Sequence, residues 1–195
     1  MVDASAWQHR STPAGDAVRL PDANGQPRAL LIAPAAAPDA PALSNDAWRW
    51  AELQAGVAWI EPGTVDQFVP QMLNLEVIGG VDFKKGCYPG QEVVARSQYR
   101  GTLKRRTFLF DVPAGNTAAP GQEIVDADDP SQPAGMVVNA AAHPDGRGTS
   151  LLAELKLAAL PRADAGALRL VDANGAALQR RELAYAVPLE AQDIP

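Results

Sequence analysis

The chain has 195 residues, 47% of them hydrophobic, so it is long and apolar enough to bury a core. Its formal net charge of −6 argues against a general nucleic-acid-binding protein, which needs a basic face. The longest charge-free apolar stretch, residues 29–38, is too short and too rich in proline to span a bilayer. The sequence contains no visible secretory signal and no cysteine pair, so we expect a cytoplasmic protein without membrane contacts.

The N-terminal region carries the signature of a β-hairpin. In "AVRLPDANGQPRALLIA" two apolar strands flank Asn24-Gly25, a pair that tolerates positive φ at both central positions of a tight turn. The same Asp-Ala-Asn-Gly tetrapeptide recurs in "ALRLVDANGAALQR", residues 167–180, and predicts a second strand–turn–strand unit. Residues 34–46 are rich in alanine and proline and are typical of a linker or surface loop.

Two helices are predicted in the middle of the chain. Ser44 or Asn45 can cap a helix from about Asp46 to Ala55, with Gly56 as its stop. "VAWI", residues 57–60, then predicts a short buried strand, and residues 68–80 predict an ordered loop with short helical turns. A second helix is expected in "GQEVVARSQYR" after Pro89, ending at Gly101.

The C-terminal part has a different texture. Six short apolar runs, most of them separated by turn residues, predict six strands: "TFLFDV", "QEIVD", "GMVVNA", "SLLAEL", "ALRLVD" and "ALQRREL". Such a run favours a small antiparallel β-barrel or sandwich. The sequence therefore predicts an α+β protein, with a mixed region over residues 1–105 and a β domain over residues 106–195.

The only cysteine lies in "KKGCYPGQEVVAR", residues 84–96. Cys87 precedes the predicted second helix, where the helix dipole and the neighbouring Lys84 and Lys85 favour a thiolate. We therefore consider a reactive or ligand-contacting thiol, beside the alternative of a buried, inert one. With only two histidines, His9 and His143, no metal site of sensible spacing is expected, and the chain cannot supply four cysteines to a cluster.

The charge around this cysteine contrasts with the rest of the chain. Residues 84–106 hold seven basic residues and one acidic residue, a net charge of +6, which leaves −12 for the remainder. This contrast indicates an anionic ligand such as a carboxylate or phosphate. A solvated basic face is the alternative.

The stretch "KKGCYPGQEVVARSQYRGTLKRR" strongly resembles the signature of the YgfZ family, Lys-Gly-Cys-aromatic-x-Gly-Gln-Glu. The resemblance covers about residues 48–110 well. Members of this family are folate-binding proteins linked to iron–sulfur enzyme maturation and tRNA modification, and their fold is similar to that of the glycine-cleavage T protein. The resemblance implies the C-terminal part of a T-protein-like (ferredoxin-like α+β) folate-binding region, followed by a small β-barrel. It also implies that the chain lacks the long N-terminal half of the family, and with it part of the folate pocket.

The resemblance further implies binding of tetrahydrofolate, contacts with iron–sulfur client or assembly proteins, and through them a role in tRNA methylthio modification. Cys87 is the implied reactive residue. The residues expected to bind the cofactor are those of the motif, one amide in "LQAG" and the basic side chains that follow, which suit folate's glutamate tail: Lys85, Gly86, Tyr88, Gly90, Gln91, Glu92, Gln54, Arg96, Arg100, Lys104 and Arg105.

Two other functions remain open. One is a folate-dependent aminomethyltransferase like the T protein. However, that protein has a glutamate where this chain has Gln54, and an amide carries no charge for a cationic transition state. The T protein also lacks the cysteine motif. The other is a binding module whose β domain docks a protein client.

Overall fold

The computed structural model describes residues 5–33, 43–99 and 104–189. It is an α+β structure built mainly on two antiparallel sheets, as the sequence predicts. Its strands are β1 His9–Thr12, β2 Gly15–Ala23, β3 Gln26–Ile32, β4 Arg105–Pro113, β5 Glu123–Asp126, β6 Pro133–Ala142, β7 Gly148–Lys156, β8 Leu168–Leu170 and β9 Gln179–Arg181. Its helices are α1 Asn45–Gln54, α2 Gln91–Tyr99 and α3 Leu160–Asp164, with short 3₁₀ helices at Pro62–Thr64, Pro70–Leu73 and Leu157–Ala159.

The first sheet contains the predicted hairpin. Strands β2 and β3 pair from Ala23 with Gln26 onward, and the two turn residues between them, Asn24 and Gly25, have φ values of 49° and 71°. Strand β1, which the sequence analysis missed, adds a third strand beside β2. Its residues are all exposed and polar, so no apolar pattern marks it.

The second sheet contains all six predicted C-terminal strands, in the order β8-β5-β6-β7-β4-β9. It curls into a half-barrel. Backbone hydrogen bonds from Leu178 to Leu168 and from Leu170 to Ala176 join β8 to the residues just before β9, at the other end of the strand order. The barrel interior is a core of fully buried side chains, among them Phe110, Leu151 and Leu155.

Helix α1 begins and ends as predicted, and it packs on the outer face of the second sheet. Ser44 is its N-cap and accepts a hydrogen bond from the backbone N–H of Ala47, while Gly56 follows with a φ of 70°. Leu53 packs with Leu152 of β7 in a second apolar cluster. This packing joins the part of the chain before β4 to the β-rich part, and the division at residues 105 and 106 stays a prediction.

The prediction of a strand at residues 57–60 is wrong. No strand forms there; Trp59 and Ile60 are 56% and 55% exposed. Instead, the side chain of Asn139 on β6 forms the two backbone hydrogen bonds with Trp59 that a neighbouring strand would form. Asn139 accepts from Trp59 N (2.8 Å) and donates to Trp59 O (2.8 Å). The short helical turns expected in residues 68–80 are confirmed by the 3₁₀ helix Pro70–Leu73.

A buried arginine joins this loop to the second sheet. Arg106 on β4 is fully buried; its guanidinium forms an ion pair with Glu76 and donates to the backbone oxygens of Gln71 (2.8 Å) and Pro188 (3.1 Å). Because a charge without a partner is costly in an apolar interior, each member of this pair depends on the other.

We expect Arg106→Met to lower the free energy of unfolding by about 3–5 kcal/mol, since it leaves the Glu76 carboxylate buried without a counter-charge. Urea denaturation measures the effect. The matched control is Arg147→Met, which breaks an exposed ion pair with Asp145 and should leave the free energy of unfolding almost unchanged. Equal losses in the two variants would contradict the importance of the buried pair.

Candidate functional site

The cysteine segment lies on the surface immediately before α2. Cys87 is exposed, so the alternative of a thiol enclosed in the core does not hold. Gln91, the first residue of the helix, fixes the segment, because its side-chain oxygen accepts from the backbone N–H of Tyr88 at 3.1 Å. Gly90 has a φ of 79°, a conformation that is unfavourable for residues other than glycine. The thiol is therefore presented to solvent by a short, locally bonded turn.

The residues around the thiol form an open surface with few internal contacts. The ammonium of Lys85 lies 4.4 Å from the centre of the Tyr88 ring, within cation–π distance. Internal packing does not require a glycine at position 86, since a Cβ there would meet nothing within 4 Å among the described residues. Its side is open to an approaching partner.

Helix α2 is attached to the body of the protein through few groups. The side-chain amide of the fully buried Gln71 donates to the backbone oxygen of Val94 at 2.8 Å, and Val94 is itself buried. Glu92 and Arg96 lie on the exposed side, and they form no ion pair with each other in the described structure. Arg100, predicted to bind folate's tail, lies outside the described residues.

The remaining predicted basic residues, Lys104 and Arg105, differ in exposure and in their hydrogen-bond partners. Lys104 is exposed, whereas one nitrogen of the Arg105 guanidinium donates to both carboxylate oxygens of Glu154, at 2.9 and 2.7 Å. Burial raises the pKa of Glu154, and the Arg105 charge opposes that rise. Arg105 thus already has an internal carboxylate partner.

Gln54 lies elsewhere, at the end of α1, where it lines a cavity of about 650 Å³. Trp50, one turn earlier on the same helix face, lines it too, together with Asp111, His143 and Arg181 from the second sheet and its loops. Among the described residues, the structure brings none of the cysteine motif into this cavity. A larger cavity of about 960 Å³, between α3, β9 and the C-terminal segment, contains none of the predicted site residues either.

A hydrogen-bonded chain of polar side chains forms the wall beside Gln54. The indole N–H of Trp50 (3.2 Å) and the amide of Gln54 (3.4 Å) both donate to the hydroxyl of Ser150. Ser150 donates to one oxygen of Asp111 (2.7 Å), and Arg181 donates to the other (2.7 Å). Sequence reasoning predicted Gln54 but missed Asp111, Ser150 and Arg181. Asp111 inside the apolar run "TFLFDV" was the only signal, and these three residues meet only through the sheet.

The cavity combines a ring-binding surface with a charged wall. The rings of Trp50 and His143 are 4.8 Å apart in an edge-to-face arrangement, which fixes the indole. Its size lies within the range of small-molecule sites, and its lining offers an amide, a carboxylate and a guanidinium. These groups can hydrogen-bond the edge of a polar heterocycle.

The C-terminal segment after β9 holds the end of α1 in place. The hydroxyl of Tyr185 donates to the backbone oxygen of Gly56 at 2.9 Å and accepts from Asn74 at 3.4 Å. Burial raises the pKa of Tyr185 to about 12. This neutral phenol thus connects the segment beyond β9 to the residue two positions after Gln54.

No family model matches the chain. An uncharacterized protein of Haemophilus influenzae is 47% identical over 78 residues, which cover 40% of this chain and 28% of that protein. The chain therefore matches well under half of the length of this relative. Within its described residues, no helix has the length and apolar character required to cross a bilayer.

We expect stability to fall at high pH because of Tyr185. Its pKa is about 12 in the folded state and about 10 in the unfolded chain, so its contribution is complete below pH 10 and is lost as the pH rises through 12. Denaturation at pH 9 and pH 12 should show the wild type losing about 2 kcal/mol more than Tyr185→Phe. Tyr88→Phe, the control, should keep the wild-type loss. An identical pH dependence in wild type and Tyr185→Phe would contradict the assignment.

Proposed function

We propose that this protein binds tetrahydrofolate and supports the assembly or repair of iron–sulfur clusters, and through it the methylthio modification of tRNA. The observation that carries the proposal is the motif from Lys85 to Glu92, with its thiol exposed on a short turn in a basic stretch. Under this proposal the α+β region and the half-barrel are the C-terminal part of a T-protein-like folate-binding fold.

The cavity beside Gln54 supports the folate part of the proposal. A pterin edge presents alternating donors and acceptors, which the Gln54 amide and the Asp111 carboxylate, both in the cavity lining, can match. Trp50 supplies a ring against which a bicyclic heterocycle can pack. The basic groups that share this cavity are Arg147 and Arg181, so we assign carboxylates of the glutamate tail to them in preference to the basic residues around α2.

The exposed thiol supports a role toward a protein client. Lys84 and Lys85 precede it, both exposed, and the glycine beside it leaves room for a second backbone. A thiol on such a surface can meet a cluster or a cysteine on another protein, with Cys87 as one donor among several. Folate and the thiol then act at separate places on the chain.

The separation of the two places also argues against aminomethyl transfer. A one-carbon transferase needs its charged and nucleophilic groups beside the folate, but Gln54 is neutral and Cys87 does not line the cavity that contains it. The accessory role therefore fits the geometry better than the transferase role.

We expect tetrahydrofolate binding to depend on Gln54. In calorimetry Gln54→Ala should weaken binding about tenfold, the effect of losing one well-placed polar contact and the pairing of its partner. Gln67→Ala, an exposed glutamine near the 3₁₀ helix Pro62–Thr64, is the matched control and should bind as the wild type does. Absence of heat with tetrahydrofolate, or equal affinities of the two variants, would count against the cavity.

We expect Cys87→Ala to abolish the cellular role while leaving the fold and folate binding intact. In cells lacking the native protein, it should fail to restore tRNA methylthiolation and iron–sulfur enzyme activity. Ser97→Ala on α2, whose hydroxyl donates to Val93 O of its own helix, serves as the control. Full rescue by Cys87→Ala would remove the thiol from the mechanism and leave the folate test standing.

A further inference from the structure

Helix α1 presents a second functional face, opposite the one that carries Gln54. Trp48 and Glu52 are four residues apart and share a face, as do Trp50 and Gln54, and the two faces differ by about 200° around the helix axis. The first pair faces the hairpin sheet and the segment after Gly56. A cavity of about 370 Å³ lies there, distinct from the one beside Gln54.

Three of the four tryptophans of the chain line this second cavity, together with several aliphatic side chains: Trp7, Trp48 and Trp59, with Leu20, Leu30, Val57 and Ala58. Trp7 and Trp59 are 46% and 56% exposed. For side chains of this size, such exposure in a common concave site is typical of a binding surface.

The exposed indoles are nevertheless fixed in place. Trp7 donates its indole N–H to the backbone oxygen of Ile78 (2.9 Å), and Trp59 donates its own to Glu52 (2.9 Å). Both backbone groups of Trp59 are also bonded to Asn139. The ring edges are thus used by the protein, and the ring faces are left for a ligand, with little side-chain entropy still to lose on binding.

A charged pair completes the cavity. The guanidinium of Arg28 binds Glu52 at 2.5 Å and lies 5.4 Å from the centre of the Trp48 ring. Both oxygens of Glu52 have partners, whereas one terminal nitrogen of Arg28, Nη2, is buried and has no hydrogen-bond partner in the described part of the chain. The pair is neutral overall, and within the described residues Nη2 is its one buried polar atom without a hydrogen-bond partner.

We propose that this cavity binds an uncharged planar aromatic compound that carries a hydrogen-bond acceptor. Stacking on the indoles selects a flat ring system, and Arg28 Nη2 selects an acceptor at its edge. An anionic ligand is disfavoured because Glu52 already neutralises the guanidinium. This proposal does not depend on the folate proposal, which concerns the other face of α1.

The four indole N–H groups test the proposal directly, because helix α1 separates Trp50 from the other three. The probe is indole-3-carboxamide, which is flat, uncharged and carries an acceptor oxygen; cyclohexanecarboxamide has the same amide without the flat ring. In ¹H–¹⁵N spectra of the labelled protein we expect saturable shifts of the Trp7, Trp48 and Trp59 indole resonances with the probe alone. The resonance of Trp50 should not move. The dissociation constant should be about 1 mM or lower, as ordinary ligand efficiency gives for a compound of this size.

Variants locate the binding. Trp59→Leu and Trp7→Leu alter exposed residues, so the variants should fold, and each should weaken binding of the probe about threefold to tenfold. Gln54→Ala, in the other cavity, should leave it unchanged. The proposal is overturned if the probe produces no saturable shift, if the two carboxamides bind equally, or if the Trp50 resonance moves and Gln54→Ala removes the binding.

Discussion

A single buried cation holds together the parts of this molecule that carry its candidate sites. Arg106 starts on β4 and bonds the loop before the cysteine motif through Gln71 and Glu76, and the C-terminal segment through Pro188. From Gln71 the contact continues to α2 by way of Val94. Because a buried charge is costly without its counter-charge, the pairing of Arg106 with Glu76 favours one arrangement of these segments.

The same network extends to helix α1, which separates the two cavities. Asn74, within the loop, donates to Thr107 O next to Arg106 and to Tyr185, whose hydroxyl continues to Gly56 at the end of α1. Helix α1 then directs Gln54 to one cavity and Trp48 to the other. Cys87 lies on an exposed turn that precedes a different helix, α2. Under the proposed function, the cofactor is held at one place and the thiol is presented to a client at another.

Local sequence predicted local structure well, and failed where tertiary contacts decide. Ser44 and Gly56 marked the ends of α1 because capping depends on a few neighbouring residues. Residues 57–60 read as a strand because they are apolar, but the side chain of Asn139 takes the place of a neighbouring strand. The two Asp-Ala-Asn-Gly tetrapeptides show the limit best. In the first tetrapeptide Asn24 and Gly25 both have positive φ. At the second, residues 172–175, the positive φ belongs to the preceding residue, Val171, and a Cβ on Gly175 would lie 1.7 Å from Leu170 O.

The candidate site was predictable only in part for the same reason. The motif around Cys87 is contiguous, so its exposed turn before a helix could be expected from Pro89 and Gly90 alone. Asp111, Ser150 and Arg181 lie on three strands, and only the register of the sheet brings them to Gln54. Arg105 and Arg106 read as part of a basic patch, but both point to internal carboxylates, which no charge count can reveal.

Hydrogen–deuterium exchange of Gln71→Ala tests most directly whether this network positions α2, the helix that follows the cysteine motif. The account predicts faster exchange of the backbone amides of residues 91–97, with unchanged protection in the central strands β6 and β7, because the variant removes the side-chain bond to Val94 O. Protection of those helix amides at the wild-type level would contradict it: the motif would then be held by contacts other than the ones that extend from Arg106.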